Sequence, residues 1–573
     1  MLSKNIKNRV YISFGIIVFV FGIITANLFK LQILNYNYYI ELAQGQHSVY
    51  EKIMPRRGEL FIKDIKSDQL LPLAVNQELK QVYVVPKNIE GDKEEIANKL
   101  AEILEMDQEK IFSRINKEND PYESLKHRVS LEKAKQIEDL NIEGVGFLSE
   151  TARYYPAGSL ASHLTGFLGI RGEEKVGQYG LEGTYEKELR GQIGSLQGGK
   201  DVAGRWISQA SQEIKEAQDG LDLVLTIDQN IQFKARQELQ KAVDRWQIES
   251  GTVIVSEPST GAILAMASWP DYDPNNYSEV EDIKVFLNPA TQKVYEPGSV
   301  MKSFTMAAGL DSKSISADDT FFDEGFLKLP GGTIRNVNGK KYKEQTMSQI
   351  LEESINTGSV YIQQQMTEET FRTYLENFGF GYLTGIDLSG ELKGSIVNLF
   401  TGREIDLATA SFGQGISVTP IQLTAAINAV ANDGVLMSPY LVSKKISEEG
   451  EEVVEPKRVR QVISSETAHK LAQMLVQVVE KGHGRSARVE GYNVAGKTGT
   501  AEVPKENEAG YSEETIHTFL GFAPAFHPRF SILVKLDKPQ GIDFSSATAA
   551  PLFGDLADYL FDYLEIPPTV KGN

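Results

Sequence analysis

The chain has 573 residues, several times the usual single-domain size, so two or three folded units with their own cores are expected. A composition of 41% hydrophobic and 24% charged residues, with 49 Gly and 21 Pro, excludes a disordered or collagen-like chain. A net charge of -19 without a basic stripe argues against a nucleic-acid partner, and the lack of cysteine excludes thiol catalysis, disulfides and Cys-based metal sites.

Residues 10–29, opening on Val10 and closing on Phe29, read VYISFGIIVFVFGIITANLF: about 20 uncharged, mostly apolar positions, enough for one helix across a bilayer core. The leader, residues 1–9, carries Lys4, Lys7 and Arg9 and no acidic residue, which favours a cytoplasmic N-terminus and an outward-facing remainder. A cleaved signal peptide or a buried core helix are the alternatives. The run exceeds a signal-peptide core and no clear A-x-A site follows it, so a retained anchor in the cell membrane is expected.

From about residue 32 to 219 the sequence is mixed, and an irregular outer module is expected. Its clearest element is a helix over 93–111, with Ile96, Leu100 and Ile103 or Leu104 on one face. From 221 the texture changes. LDLVLTID and GTVIVSEPSTGAILAMASW are β-branched runs, the second broken by a turn that predicts a hairpin, so a second domain begins near 220. Further on, SEEGEE and VVEPKRVRQ read as exposed strands and a turn.

Three short motifs of the second domain carry chemistry. In VYEPGSVMKSFTMAAGL, Pro297 and Gly298 precede a helical run, so Ser299 stands near a helix N-terminus with Lys302 three residues on and on the same side. A serine hydroxyl needs a base, and a lysine serves if burial near Met301 and Phe304 lowers its pKa. The same Ser-x-x-Lys spacing recurs at Ser130 and Lys133, where a charged helix surface explains it. In LEESINTGSVYIQQQM, Ser354 and Asn356 can be aimed into a cleft from an irregular turn, although alone they would read as a cap. In YNVAGKTGTAEVP, Lys497, Thr498, Gly499 and Thr500 lie among small residues on a predicted strand open to close approach by a substrate backbone.

The ordered set, separated by 55 and 143 residues, resembles the penicillin-binding protein and serine β-lactamase superfamily, and more closely the class B penicillin-binding proteins. Segments RRGEL at 56–60, 153–169, GLEGTYEKELRG at 180–191, PDYDPNNY at 270–277 and 408–434 extend the likeness over nearly the whole chain. GLEG, the 408–434 segment and the lack of a C-terminal extension lean toward the division-type branch. Two departures stand out: no Asp-Arg-Asn-Gly follows the Arg-Gly motif, and Glu502 stands where the family often has Gln.

The resemblance implies an α+β transpeptidase fold, with a five-stranded antiparallel sheet and helices, on an elongated α+β pedestal above one transmembrane helix. The implied boundaries are 32–219 for the pedestal, 220–566 for the transpeptidase domain and 567–573 for a tail. It implies a peptidoglycan D,D-transpeptidase in which Ser299 is acylated by a D-Ala-D-Ala donor, Lys302 is the base and Ser354 passes a proton to the leaving D-Ala. Backbone N–H groups of Ser299 and Thr500 form the oxyanion hole, Lys497, Thr498 and Thr500 hold the donor carboxylate, and Asn356 holds the acyl amide. An amine acceptor, β-lactam inhibitors, a glycosyltransferase and division proteins are the implied partners, with no cofactor and no metal. His163, His483 and His517 form no ligand pattern and read as structural or surface residues. A carboxypeptidase or β-lactamase, an elongation-type enzyme and a non-catalytic scaffold are the alternatives.

Overall fold

The computed structural model describes residues 4–34, 48–117, 120–172, 174–199, 213–505 and 510–570, so the ends of the leader and of the tail lie outside the described residues. Two compact units emerge: Met1–Arg57 with Arg190–Gly220, and Gly58–Leu189 with Leu221–Asn573.

In the first unit, helix α1 spans Lys4–Phe29 and continues as a π-helical turn, Lys30–Leu34. Over Ile12–Ile33 it is long and apolar enough to cross a membrane, and Phe19 and Phe21 are exposed. The same unit holds an antiparallel sheet of Ser48–Ile53, Gly194–Gly199 and Glu213–Lys215.

The second unit is built on two larger sheets. One orders β1 (Leu60–Lys63), β2 (Leu70–Val84), β3 (Glu123–Val129), β4 (Val145–Tyr154), β5 (Asp222–Asp228), β8 (Val442–Ser447) and β9 (Gly450–Val453) as β9-β8-β5-β1-β2-β3, with β4 also on β2. The join is parallel, Leu223 facing Leu60 and Val224 facing Phe61. The outer segment is therefore more regular than its mixed sequence suggests, because a 15-residue strand, β2, pairs on both edges.

The helix expected over 93–111 is in fact two, α2 (Lys93–Leu104) and α3 (Gln108–Ile115). Glu105 adopts a left-handed conformation that ends the first, and the Asp107 carboxylate accepts from the Glu109 and Lys110 N–H groups to start the second. Ala97, Leu100 and Leu104 are buried, with Ile96 and Ile103 partly so.

The other sheet contains β6 (Ser250–Ser256), β7 (Ile263–Trp269), β10 (Ala495–Pro504), β11 (Tyr511–Ala523) and β12 (Phe530–Asp537), ordered β7-β6-β12-β11-β10 and antiparallel throughout. The predicted hairpin is β6–β7. Side-chain alternation splits its residues between two cores. Val253, Val255, Phe519 and Val534 pack with helices α4 (Gln229–Trp246) and α10 (Ala549–Tyr563), whereas Ile254, Leu520 and Leu533 pack with α5 (Met301–Asp311), α8 (Pro420–Ala431) and α9 (Ser465–Glu480). The sheet is buried on both faces, and the turn that leads into α5 runs against β10.

The segments singled out on either side of residue 220 meet one another. Tyr155 and Asn275 exchange two hydrogen bonds of 3.0 Å, Phe167 stacks on Tyr277 with centroids 4.2 Å apart, and the Tyr185 hydroxyl donates to Asp387 (3.2 Å). Arg153 and Glu182 form a buried ion pair of 2.6 Å.

His163 and His517 are buried, and burial lowers each imidazole pKa to about 4. Both rings are then neutral in the fold, while the unfolded chain takes up a proton on each as pH falls through about 6.5. Their contribution to stability is complete above that value and is lost as pH falls toward 4. Between pH 7 and 5 each ring should cost about 2 kcal/mol, a drop that thermal melts at the two pH values would reveal. Equal stability at both would mean that the rings are charged in the fold.

Candidate active site

Ser299 lies in the 3-10 turn Gly298–Val300 that leads directly into α5. That turn is wedged between β10 and the turn at Gly413 by close backbone approach. Gly298 has φ +58°, a conformation glycine tolerates, and a Cβ there would meet the Thr500 carbonyl oxygen at 3.1 Å. Its N–H donates to the Gly413 carbonyl (3.1 Å). A Cβ on Gly499 would meet the Pro297 carbonyl at 3.0 Å, so the glycine of the Lys-Thr-Gly motif lets β10 run against the serine turn.

Lys302 lies in the first turn of α5 and is 1% exposed; Lys497, on β10, is also 1% exposed. Between them is Ser354, in the link between α6 (Met347–Glu352) and α7 (Asn356–Gln364). Its φ of +54° is unusual for a residue with a side chain, and the strain is held by the surrounding hydrogen bonds. Lys302 Nζ donates to Asn356 Oδ1 (2.7 Å), to Ser354 Oγ (3.2 Å) and to the Ser354 carbonyl. Lys497 Nζ donates to the same Ser354 Oγ (3.0 Å) and to the Thr498 carbonyl (3.1 Å). With both lone pairs of its hydroxyl accepting, Ser354 has its own proton left to give. Asn356 is fixed in turn by its Nδ2 donating to the Arg335 carbonyl (3.0 Å).

No carboxylate is among these partners. Burial pushes the Lys302 ammonium well below its ordinary pKa, and the nearby Lys497 charge pushes it further; burial alone brings Lys497 down to about 7. Lys497 is therefore poised to lose a proton near neutrality, and Lys302, held well below the ordinary lysine range, can stand neutral as a base must.

Two cavities, of about 330 and 390 Å³, share Ser299, Val337, Thr500 and Phe544 and so form two lobes of one groove. Ser354 and Thr498 line the first lobe, and Asn356, Ala501 and Glu502 the second. Thr500 Oγ1 donates to Ser545 Oγ (3.2 Å) and accepts from the Ser545 N–H (3.2 Å), tying the strand to the opposite wall.

All three motifs thus converge: Ser299, Ser354, Asn356, Thr498 and Thr500 line one groove, and Gly499 and the buried Lys302 and Lys497 stand behind it. The competing Ser130–Lys133 pair does not join them. Ser130 Oγ caps a helix by accepting from the Lys133 N–H (3.3 Å), and Lys133 pairs with Glu105 (2.8 Å). Sequence reading missed His483, Lys340, Tyr342 and Ser545 as groove residues. The nearest signal was the Gly-His-Gly run 14 residues before Lys497.

Residues 251–558 match the penicillin binding protein transpeptidase domain, and residues 52–225 match the penicillin-binding protein dimerisation domain. The chain is 34% identical over 551 residues to stage V sporulation protein D of Bacillus subtilis, covering 95% of this chain and 83% of that one. It is 30% identical over 577 residues to a peptidoglycan D,D-transpeptidase FtsI homolog of Mesostigma viride, covering 96% and 94%. The crystal structure of penicillin binding protein 3 from Mycobacterium tuberculosis complexed with ampicillin is similar, with a TM-score of 0.70 and 25% identity, over 91% of this chain and 98% of that one.

Proposed function

The chain belongs to the class B penicillin-binding proteins, and from that premise we propose that it cross-links peptidoglycan stem peptides at Ser299 during septal wall synthesis and is a target of β-lactams. The observation that carries this reading is the meeting of two buried lysines on Ser354 beside the groove that exposes Ser299.

In the proposed reaction, neutral Lys302 takes the Ser299 hydroxyl proton as Oγ attacks the carbonyl of the penultimate D-Ala. The oxyanion is held by the N–H groups of Ser299 and Thr500, each such donor being worth about 3 kcal/mol. The C–N bond breaks, Ser354 relays a proton from the lysine pair to the leaving D-Ala, and an acyl ester remains on Ser299. An amine from a second stem peptide attacks that ester and releases Ser299. Lys497, Thr498 and Thr500 hold the donor carboxylate, Gly499 permits the strand's close approach, and Asn356 holds the acyl amide.

The proposed arrangement has a cytoplasmic leader, one membrane span at 10–29, a pedestal over 32–219, an extracytoplasmic transpeptidase domain over 220–566 and a tail over 567–573. A glycosyltransferase and division proteins are the proposed partners. A second reading, wall synthesis during spore formation, is favoured by the likeness to the sporulation protein.

Intact mass of the full chain in detergent after exposure to penicillin, beside a Ser299→Ala variant, tests the activity. A single stable adduct, lost in the variant, is expected. Rapid loss of the adduct would favour a β-lactamase, and no adduct would favour a scaffold. Timing of expression and position at the division septum or around the forming spore would separate the two biological settings.

A further inference from the structure

The two lobes of the groove differ in the charge they present. The second is lined by Glu502 and Asp543 together with Arg335. Among the described residues lining the first, none is acidic, and the groups able to carry positive charge are Lys340 and His483. Lys340 is already engaged, by Glu353 at 3.2 Å and by the Tyr342 ring at 4.2 Å. His483 is exposed to the groove.

The backbone around His483 is built tightly. Its N–H donates to the Glu352 carbonyl (3.2 Å), two residues from Ser354. A Cβ on Gly482 would meet that carbonyl oxygen at 2.5 Å, and one on Gly484 would meet the Val478 carbonyl at 3.0 Å. The flanking glycines thus bring the end of α9 against the Ser354 link and present the imidazole between them. The site at a helix C-terminus also favours a cation there.

We propose that His483 is a specificity-determining residue that binds the terminal carboxylate of the donor, alongside Thr498, and does so most strongly when protonated. The inference rests on the transpeptidase reading and adds to it a pH-dependent preference for an anionic donor terminus. Although one side of the ring is open to the groove, partial desolvation by the surrounding protein holds the imidazole below its ordinary pKa, followed by the Lys497 charge; Glu353 opposes this, and Lys302 and Lys340 reinforce it. A bound carboxylate supplies the missing negative charge, so binding and protonation assist each other. Affinity for a carboxylate then rises as pH falls through the His483 titration, whereas affinity for a neutral terminus does not follow it.

The test uses the full chain in detergent carrying Ser299→Ala, so that binding is read without acylation. Probes are an N-acylated peptide ending in D-Ala-D-Ala and its C-terminal carboxamide, followed by ligand-observed NMR at pH 7.5 and 5.5. Adding His483→Gln should weaken the carboxylate probe roughly tenfold at pH 5.5, the scale of one charge-assisted hydrogen bond, and much less at pH 7.5. The carboxamide should be unaffected, and His483→Lys should restore carboxylate binding at both pH values. Lys497 also titrates in this range, so the reading is the difference between variants at each pH. Equal weakening of both probes, or a loss independent of pH, would overturn the proposal in favour of a structural role, and no loss would overturn it outright. If penicillin leaves Ser299 unmodified in the parent chain, the transpeptidase reading fails instead, a separate result because these titrations involve no chemistry.

Discussion

Replacing Lys302 by Gln should lower the second-order rate of Ser299 acylation by penicillin by about 10³-fold, the scale of a lost general base. The side chain is 1% exposed and gives its hydrogen bonds to Ser354 and Asn356, so the amide can keep part of this network while it cannot accept the serine proton. Lys302→Arg should do no better, because a guanidinium stays charged under any workable condition and is too large for a site closed by Ser354 and Asn356. Both variants should still melt cooperatively. Burial here disfavours the charge that the lysine carries in the unfolded chain, and Lys302→Gln removes that cost below the ordinary lysine range, so the variant should be at least as stable as the parent. In the parent, the rate should rise with pH through the lowered Lys302 titration and level off well below the ordinary lysine range. Stopped-flow acylation across pH checks both statements, and a variant rate within tenfold of the parent would remove Lys302 from the role of base.

Gly413→Ala should be nearly as damaging although residue 413 bears no reactive group. Gly413 has φ +85°, and an added Cβ would overlap the Gly298 carbonyl oxygen and lie 2.6 Å from the Gly298 nitrogen. Gly298 cannot retreat freely, since its own Cα faces the Thr500 carbonyl and its N–H is held by Gly413. The alanine must therefore displace the turn that carries Ser299 away from the strand that carries Thr500, separating the two proposed oxyanion donors. A shift of about 1 Å is enough for a loss near 10²-fold in acylation, and the overlap with left-handed strain should cost about 2–4 kcal/mol of stability. Acylation rate and melting temperature, measured together, check this. A stable, fully active Gly413→Ala protein would mean that other contacts set the position of Ser299.

Much of the architecture is legible from local pattern because the physics that sets it is local. The apolar run at 10–29 has no alternative to a long helix. The β-branched runs on either side of Pro258 and Gly261 form the hairpin because alternation and a turn are enough to specify it. The helix over 93–111 was misjudged for the same reason: apolar spacing continues through Glu105, and only the left-handed residue and the Asp107 cap break it. The regularity of the outer sheet was hidden as well, since β2 alternates imperfectly and gains its order from partners on both edges.

The site divides in the same way. Residue types, order and spacing of the three motifs by themselves determined which groups are able to react, and the resemblance chose Ser299 over Ser130. Only the tertiary structure decided how those groups act on one another. Ser130 became a helix cap because its neighbours leave it on a surface, while Ser299 faces a groove. Ser354 became the shared acceptor of Lys302 and Lys497 because a left-handed link and two separate elements bring them together. Burial, which no spacing encodes, lowers both ammonium groups, and a Gly-His-Gly run remote in sequence from Ser299 supplies a groove wall. Sequence separation carries no information about desolvation or through-space charge, and those two quantities turn a set of reactive side chains into an acid–base site.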